Sequence, residues 1–130
     1  TPREAVYAHL RADPNIQALV GQRVYHVTPP TGATYPLIII NTISNVDRRD
    51  LAAVFSTDTR LQITVMADSL KEAETIALAV RRSLEGFQGL LAGALPVLGC
   101  RTDGYTPIYD EDTGQTHYHV DFILTHKEAV

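Results

Sequence analysis

Three polar side chains alternate along one segment near the C-terminal end of the chain: His117, His119 and Asp121. The segment has the strict two-residue alternation of a β-strand, so these side chains are expected on one face of that strand. Two imidazoles and a carboxylate are a common metal-ligand set, and a metal-dependent enzyme is one interpretation. The other is the polar outward face of an amphipathic strand, and the sequence favours it: we expect no metal and no cofactor.

Other nucleophiles and binding motifs give little support to catalysis. Cys100 is the single cysteine, and its neighbours Leu98, Gly99 and Thr102 are typical of a strand interior, where a free cysteine is a small buried hydrophobe. No serine lies in a G-x-S-x-G sequence, and the chain has neither a G-x-G-x-x-G nor a Walker A motif. We therefore expect that the chain is not an enzyme.

Length and composition indicate one domain over residues 1–130, with 45% apolar and 20% charged residues. We expect no membrane span and no signal peptide, and a single cysteine is typical of a reducing cytosol. The net charge of −4 is uneven, because residues 103–130 hold six acidic residues and one basic residue. An acidic end argues against sequence-specific nucleic-acid binding, which needs a basic surface.

The elements that position these residues follow from periodicity and from helix caps. Thr1, Asp13 and Ser69 are the predicted N-caps, with Thr1 and Glu4 forming a capping box, and Leu70 is expected on the apolar stripe of the third helix. Helices are predicted to about Ala12, from Pro14 to Val20 and from Leu70 to Glu85, and strands over 23–27, 35–46, 59–66, 97–109 and 115–125. Residues 87–96 are expected to be a connector. The sequence thus predicts an α+β fold: a mainly antiparallel sheet of four to five strands, with an amphipathic helix on one face and an N-terminal helical segment (order α-α-β-β-β-α-β-β).

Two charged segments between strands are candidate contact surfaces. One is a long loop predicted over 45–58, and the other is a turn over 110–114. Solvated loop tips and protein–protein interfaces both fit such segments. The candidate interface residues are Asp47, Arg48, Arg49, Asp50, Asp110, Glu111 and Asp112.

Several segments in order resemble the bacteriophage tail-completion family, which is related to head–tail joining and tail-terminator proteins. The similarity covers nearly the whole chain and depends on order and spacing, because no segment is a catalytic signature. The segments are EAVYAHLRADP from Glu4, LVGQRVY from Leu19, Pro29-Pro30, YPLI from Tyr35, RLQITV from Arg60, Glu72-Ala73, Val80-Arg81, DEDTG from Asp110 and Val120-Asp121-Phe122.

The resemblance implies a structural virion protein of a phage or prophage, without enzymatic activity or cofactor. Such a subunit would form a ring, usually a hexamer, that caps the head-proximal end of the tail. Its partners would be other copies of itself, the tail tube protein and the head–tail connector protein. The free subunit either forms rings alone or stays monomeric. It would reside in the virion tail, and in the host cytoplasm during assembly. The alternative is a ferredoxin-like ligand- or peptide-binding module of a cellular pathway.

Overall fold

The computed structural model describes residues 1–49, 54–111 and 114–127, with backbone alone at 49, 54, 55 and 110. Three helices and six strands follow one another in the order α-α-β-β-β-α-β-β-β. The helices are α1 (Pro2–Ala12), α2 (Pro14–Val20) and α3 (Leu70–Leu84), and the strands are β1 (Val24–His26), β2 (Leu37–Arg49), β3 (Val54–Ala67), β4 (Gly89–Leu91), β5 (Leu95–Asp110) and β6 (Gln115–His126).

Helix starts are fixed by the predicted caps. The hydroxyl of Thr1 accepts from the amide of Glu4 and the Glu4 side chain reaches back, which completes a capping box for α1. Asp13 caps α2, and Ser69 accepts from the amide of Glu72 at the start of α3. Leu70 was expected on the buried stripe of α3, but it is exposed because it is the first residue of the helix.

The strands form one sheet in the order β1-β2-β3-β6-β5-β4. β1 runs parallel to β2, and every other neighbouring pair is antiparallel. The predicted α+β class is confirmed, but the predicted number of strands is too small. The missing strand is β4, within the expected connector, where Leu91 is buried and pairs with Leu95. Three residues are too short for a periodic signal.

The core lies between one face of the sheet and the three helices. Alternate residues of the central strands β3 and β6 point into it, as the alternation predicts, and the apolar stripe of α3 packs over them. Its largest side chains include Leu61, Ile63, Ile76, Phe122 and Leu124. The other face of β3 and β6 is mostly polar and includes Arg60, Gln62, His119 and Asp121. Within the described ranges, no helix has the length and apolarity needed to cross a membrane.

Candidate functional site

The described residues of the segment expected to be a long loop over 45–58 form two paired strands, so the prediction of a loop is wrong for them. β2 continues to Arg49 and β3 begins at Val54, with cross-strand pairs from Ser44–Arg60 to Arg49–Val54. We call Ile43–Arg49 with Val54–Arg60 the hairpin arm. The β2 strand of the arm is exposed to solvent. Hydrogen bonds between side chains, from Arg48 to Asp58 and from Thr57 to Asp47, stabilise the pairing of the two strands.

Side-chain hydrogen bonds attach the arm to the end of β6. Asp58 accepts from the guanidinium of Arg48 at 2.7 Å and from the hydroxyl of Thr125 at 2.6 Å. Next to it, the buried hydroxyl of Thr59 donates to Asn45 Oδ1 at 2.8 Å and lies 2.7 Å from Nε2 of His126. These bonds hold β2, β3 and β6 together where the arm begins.

Asp58 makes this attachment dependent on pH. Burial opposes ionisation of the carboxyl, but hydrogen bonds from Thr125 and Arg48 outweigh it and lower the pKa of Asp58. A carboxyl with a lowered folded-state pKa stabilises the fold above its unfolded pKa and loses this effect as the pH falls through the folded value. Asp58→Asn should therefore cost about 1.5–3 kcal/mol at pH 7. The difference from the native chain should vanish well below about pH 4.

Urea unfolding of both proteins at several pH values measures this difference. Asp68→Asn is the matched control, because Asp68 is exposed and lies outside the arm. An equal loss of stability for Asp58→Asn at pH 7 and pH 2.5 would contradict the role given to the ionised carboxyl.

The other hairpin, formed by β5 and β6, ends at the opposite end of the sheet. Thr57 at the arm pairs with His126, the last residue of β6, whereas Ala67 at the far end of β3 pairs with Thr116. The β5–β6 turn therefore lies one strand length away from the arm. Near it, Tyr105, Ile108 and Tyr109 are exposed. The ring of Tyr105 stacks on Tyr118, and the guanidinium of Arg81 lies 4.5 Å from the centre of the Tyr105 ring.

The predicted interface residues divide between these two ends. Asp47 and Arg48 lie exposed on the arm, and Glu111 lies exposed in the β5–β6 turn. Arg49 and Asp110 end their strands and are described by backbone alone, and Asp50 and Asp112 lie outside the described residues. The described members of the two clusters thus lie at opposite ends of the sheet.

His117, His119 and Asp121 share the polar face of β6, as predicted, but His119 and Asp121 contact other side chains. Nδ1 of His119 lies 2.9 Å from the hydroxyl of Thr64. Burial lowers the pKa of His119, and the adjacent His117 adds to this effect. Across the described ranges, no group of three or more His, Cys, Asp or Glu side chains is placed to hold a metal ion.

An ionic network on this face was not predicted from the sequence. Arg60 of β3 contacts Asp103 of β5 and lies 3.1 Å from Asp121 of β6, whose other oxygen accepts from Gln62. Hydrogen bonding to Arg60 lowers the pKa of Asp103. The network spans three strands beside the irregular register of β5 between Thr102 and Tyr105, where Gly104 has a φ of +106°. Glycine adopts that angle without strain, so Gly104 permits the irregular register and the network holds the strands together beside it.

Metal removal tests whether His117, His119 and Asp121 form a metal site or only the polar face of β6. Because both oxygens of Asp121 accept hydrogen bonds from Arg60 and Gln62, we expect excess EDTA to leave the melting temperature unchanged. Circular dichroism melts with and without EDTA, followed by re-addition of Zn²⁺, measure this. A melting temperature that falls with EDTA and recovers with zinc would restore the metal interpretation.

Cys100 lies at the core face of β5 and does not have the properties of a nucleophile. It is buried, and burial raises the pKa of its thiol to about 12. The thiol is therefore protonated at neutral pH, whereas catalytic cysteines need a lowered pKa.

Comparisons with known proteins identify a family from the sequence and a shared fold from the structure. The sequence profile of the family "Tail completion protein gp17" matches residues 4–127. No curated protein sequence matches the chain. A chain of the solved structure "Virion of native gene transfer agent (GTA) particle" superposes with a TM-score of 0.84 at 23% identity, covering 97% of this chain and 94% of that chain. At this identity, the likeness shows a shared fold.

The family match extends over almost all of the helices and strands, from α1 to β6. This confirms the resemblance seen in the sequence. It also agrees with a structural role, because tail completion is not an enzymatic activity. The chain belongs to the family of tail completion protein gp17, a family of structural phage proteins.

Proposed function

We propose that the chain is a ring-forming subunit that caps the head-proximal end of a phage tail and joins it to the head connector. Membership of the tail-completion family supports this role over the alternative of a cellular ligand- or peptide-binding module. The proposed partners are further copies of the chain, the tail tube protein and the head–tail connector protein. The subunit would be located in the host cytoplasm during assembly and in the virion tail afterwards.

The observation that carries the proposal is the position of the two hairpin ends. A joining protein must contact one component on each side, and here the arm and the β5–β6 turn lie at opposite ends of one sheet. The central strands pair along most of their length, so the two ends are held at a fixed separation. One end would meet the tail tube and the other would meet the connector.

The charged residues of the two ends are the proposed contacts. On the arm they are Asp47 and Arg48 with the neighbouring Arg49 and Asp50. At the turn they are Asp110, Glu111 and Asp112, which form the largest part of the acidic excess. Of the remaining acidic residues after position 102, Asp103 and Asp121 contact Arg60, and Asp103 also contacts Arg101, so two arginines offset these two carboxylates.

Deletion of the gene tests this role. We expect cells infected with the mutant phage to accumulate filled heads and unattached tails, because neither component would carry the joining surface. Electron microscopy of the lysate and a plaque assay measure the result, and the native gene supplied in trans should restore joined particles. Normal yields of joined, infectious particles without the chain would overturn the proposal.

A charge reversal identifies the joining surface. Glu111→Lys at the turn should lower the yield of joined particles in the same complementation assay. Glu74→Lys is the matched control, since Glu74 is also exposed but lies on α3. Loss of joining with Glu74→Lys and not with Glu111→Lys would remove the turn from the proposed contacts.

A further inference from the structure

Tyr105 and Tyr109 form an exposed aromatic surface on β5, between the irregular register of that strand and the β5–β6 turn. Their side chains are 53% and 63% exposed, and Pro107 lies between them on the same face of the strand. We call these three residues the tyrosine ridge. The contacts of Tyr105 with Tyr118 and Arg81 hold its ring in place, so little side-chain entropy remains to be lost on binding. Exposed tyrosines of this kind are typical of protein interfaces.

A basic stripe lies on α1, which packs near the opposite side of the sheet. Arg3, Tyr7 and Arg11 are spaced four residues apart, so they share one face of the helix. Tyr7 stacks on His26 of β1 with ring centres 4.2 Å apart, and Arg11 donates to the hydroxyl of Tyr7. Among the residues that the structure describes, no Asp or Glu side chain lies within ion-pair distance of Arg3 or Arg11. We call Arg3, Tyr7 and Arg11 the arginine stripe; it carries two positive charges without a carboxylate partner.

The ridge and the stripe lie at the same level along the strands. His26, which contacts the stripe, pairs with Ile40, Ile40 with Ile63, Ile63 with Val120, and Val120 with Tyr105. The three intermediate residues are buried in the core, so His26 and Tyr105 both project from the helix side of the sheet. A second copy placed beside the first, without an axial shift, therefore brings one surface towards the other.

The ridge and the stripe also run in the same direction. Arg3 lies near His26, because burial and the charge of Arg3 together lower the pKa of His26. At the other end of the stripe, Arg11 donates to Gln22, which precedes β1. Since β1 and β5 run in opposite directions, the start of β1 is level with the later part of β5. The Arg11 end of the stripe is thus level with the Tyr109 end of the ridge.

We propose that the tyrosine ridge of one subunit docks against the arginine stripe of a second copy, side by side in the ring. The contact rests on the proposed function, in which each subunit of a ring must present two unlike surfaces. The aromatic face of Tyr109 would receive the guanidinium of Arg11, and the hydroxyl of Tyr105 would accept from Arg3.

Charge favours a second copy in this arrangement. The stripe is positive, whereas residues 103–130, which include the ridge, hold six acidic residues and one basic residue. Two stripes would repel each other, so the contact does not produce a symmetric dimer. It produces a head-to-tail series of subunits, as a ring requires.

Cysteine cross-linking in assembled tails tests the contact. The background is Cys100→Ala, which removes the native thiol. Gln22→Cys places a thiol beside Arg11, and Tyr109→Cys places one at the matching end of the ridge, while Tyr105 remains in place. Because the two thiols lie at opposite sides of one subunit, a short bismaleimide should link different copies and give a ladder of subunits. Either single cysteine should give no ladder, because the two surfaces are unlike.

The control pair changes both the level and the sheet face. Val46 is exposed on β2 at the other end of the sheet, so Val46→Cys with Tyr109→Cys should give no ladder. Tails that are capped by the chain but show no ladder from Gln22→Cys with Tyr109→Cys would overturn the contact and leave the proposed function intact. Heads and tails that join without the chain would overturn the proposed function itself.

A charge exchange is the second test, for the case that Tyr109→Cys is not incorporated into tails. Tyr109→Lys places a cation against the stripe and should lower the yield of joined particles. Arg11→Glu in the same chain places opposite charges across the contact and should recover part of the loss. Arg82→Glu is the matched control, since Arg82 is exposed on α3, and it should recover none. No recovery with Arg11→Glu, in a chain that circular dichroism shows to be folded, would overturn the contact.

Discussion

Phe122→Ala is expected to lower the free energy of unfolding by about 3–5 kcal/mol. Phe122 is 1% exposed in the middle of β6, where it pairs with Leu61 and Thr102 and lies beneath the helices. Removing its ring leaves a cavity that the central strands cannot close, because both neighbours of β6 are fixed by long ladders. Domains of this size have a stability of about 5–15 kcal/mol, so much of it would be lost.

Urea unfolding followed by circular dichroism measures the change in Phe122→Ala. Tyr109→Ala is the control, since Tyr109 is also aromatic and lies on the sheet but is 63% exposed. It should change the stability by no more than about 0.5 kcal/mol. A loss of less than about 1 kcal/mol for Phe122→Ala would mean that the core is not organised around β6.

Thr59→Val is expected to cost about 1–3 kcal/mol, although it retains the size and branching of the side chain. The lost hydroxyl donates to Asn45 on β2 and lies against His126 on β6, so its removal takes this contact from the ring nitrogen of the buried His126. The damage should be local, because these three residues fix the base of the hairpin arm. Amide hydrogen exchange over 44–48 should accelerate more than exchange in α3.

Thr106→Val is the matched control for Thr59→Val, because it makes the same chemical change at an exposed position on β5. It should leave both stability and the exchange pattern unchanged. Uniform acceleration across the whole chain in Thr59→Val, with no excess in the arm, would contradict the role of Thr59 as the attachment of the arm.

Local rules in the sequence predicted the elements that a single segment determines. Two-residue alternation predicted the core face of β6, and the apolar stripe predicted α3, because burial of one face is the main constraint on each. The capping box at Thr1 and Glu4 was predicted because both partners lie within one turn. The family resemblance depended on the order of such segments.

The features that were missed depend on contacts between distant segments. Arg60 is 43 residues from Asp103 and 61 from Asp121, so their network exists only because β5, β6 and β3 are neighbours. The hairpin arm was interpreted as a loop because its β2 strand is exposed and its β3 strand buries hydroxyl side chains, so neither strand has an apolar face that would produce a period. An arginine between the apolar residues of β3 was a signal that could have indicated a carboxylate partner across the sheet.

A cryo-electron microscopy map of the intact virion tests the proposed head-proximal position most directly. We predict a closed ring of this chain between the tail tube and the head connector, with the hairpin arm and the β5–β6 turn in contact with different components. Density for the chain at the distal tip of the tail, or at the neck with both hairpin ends free of any partner, would contradict the proposal.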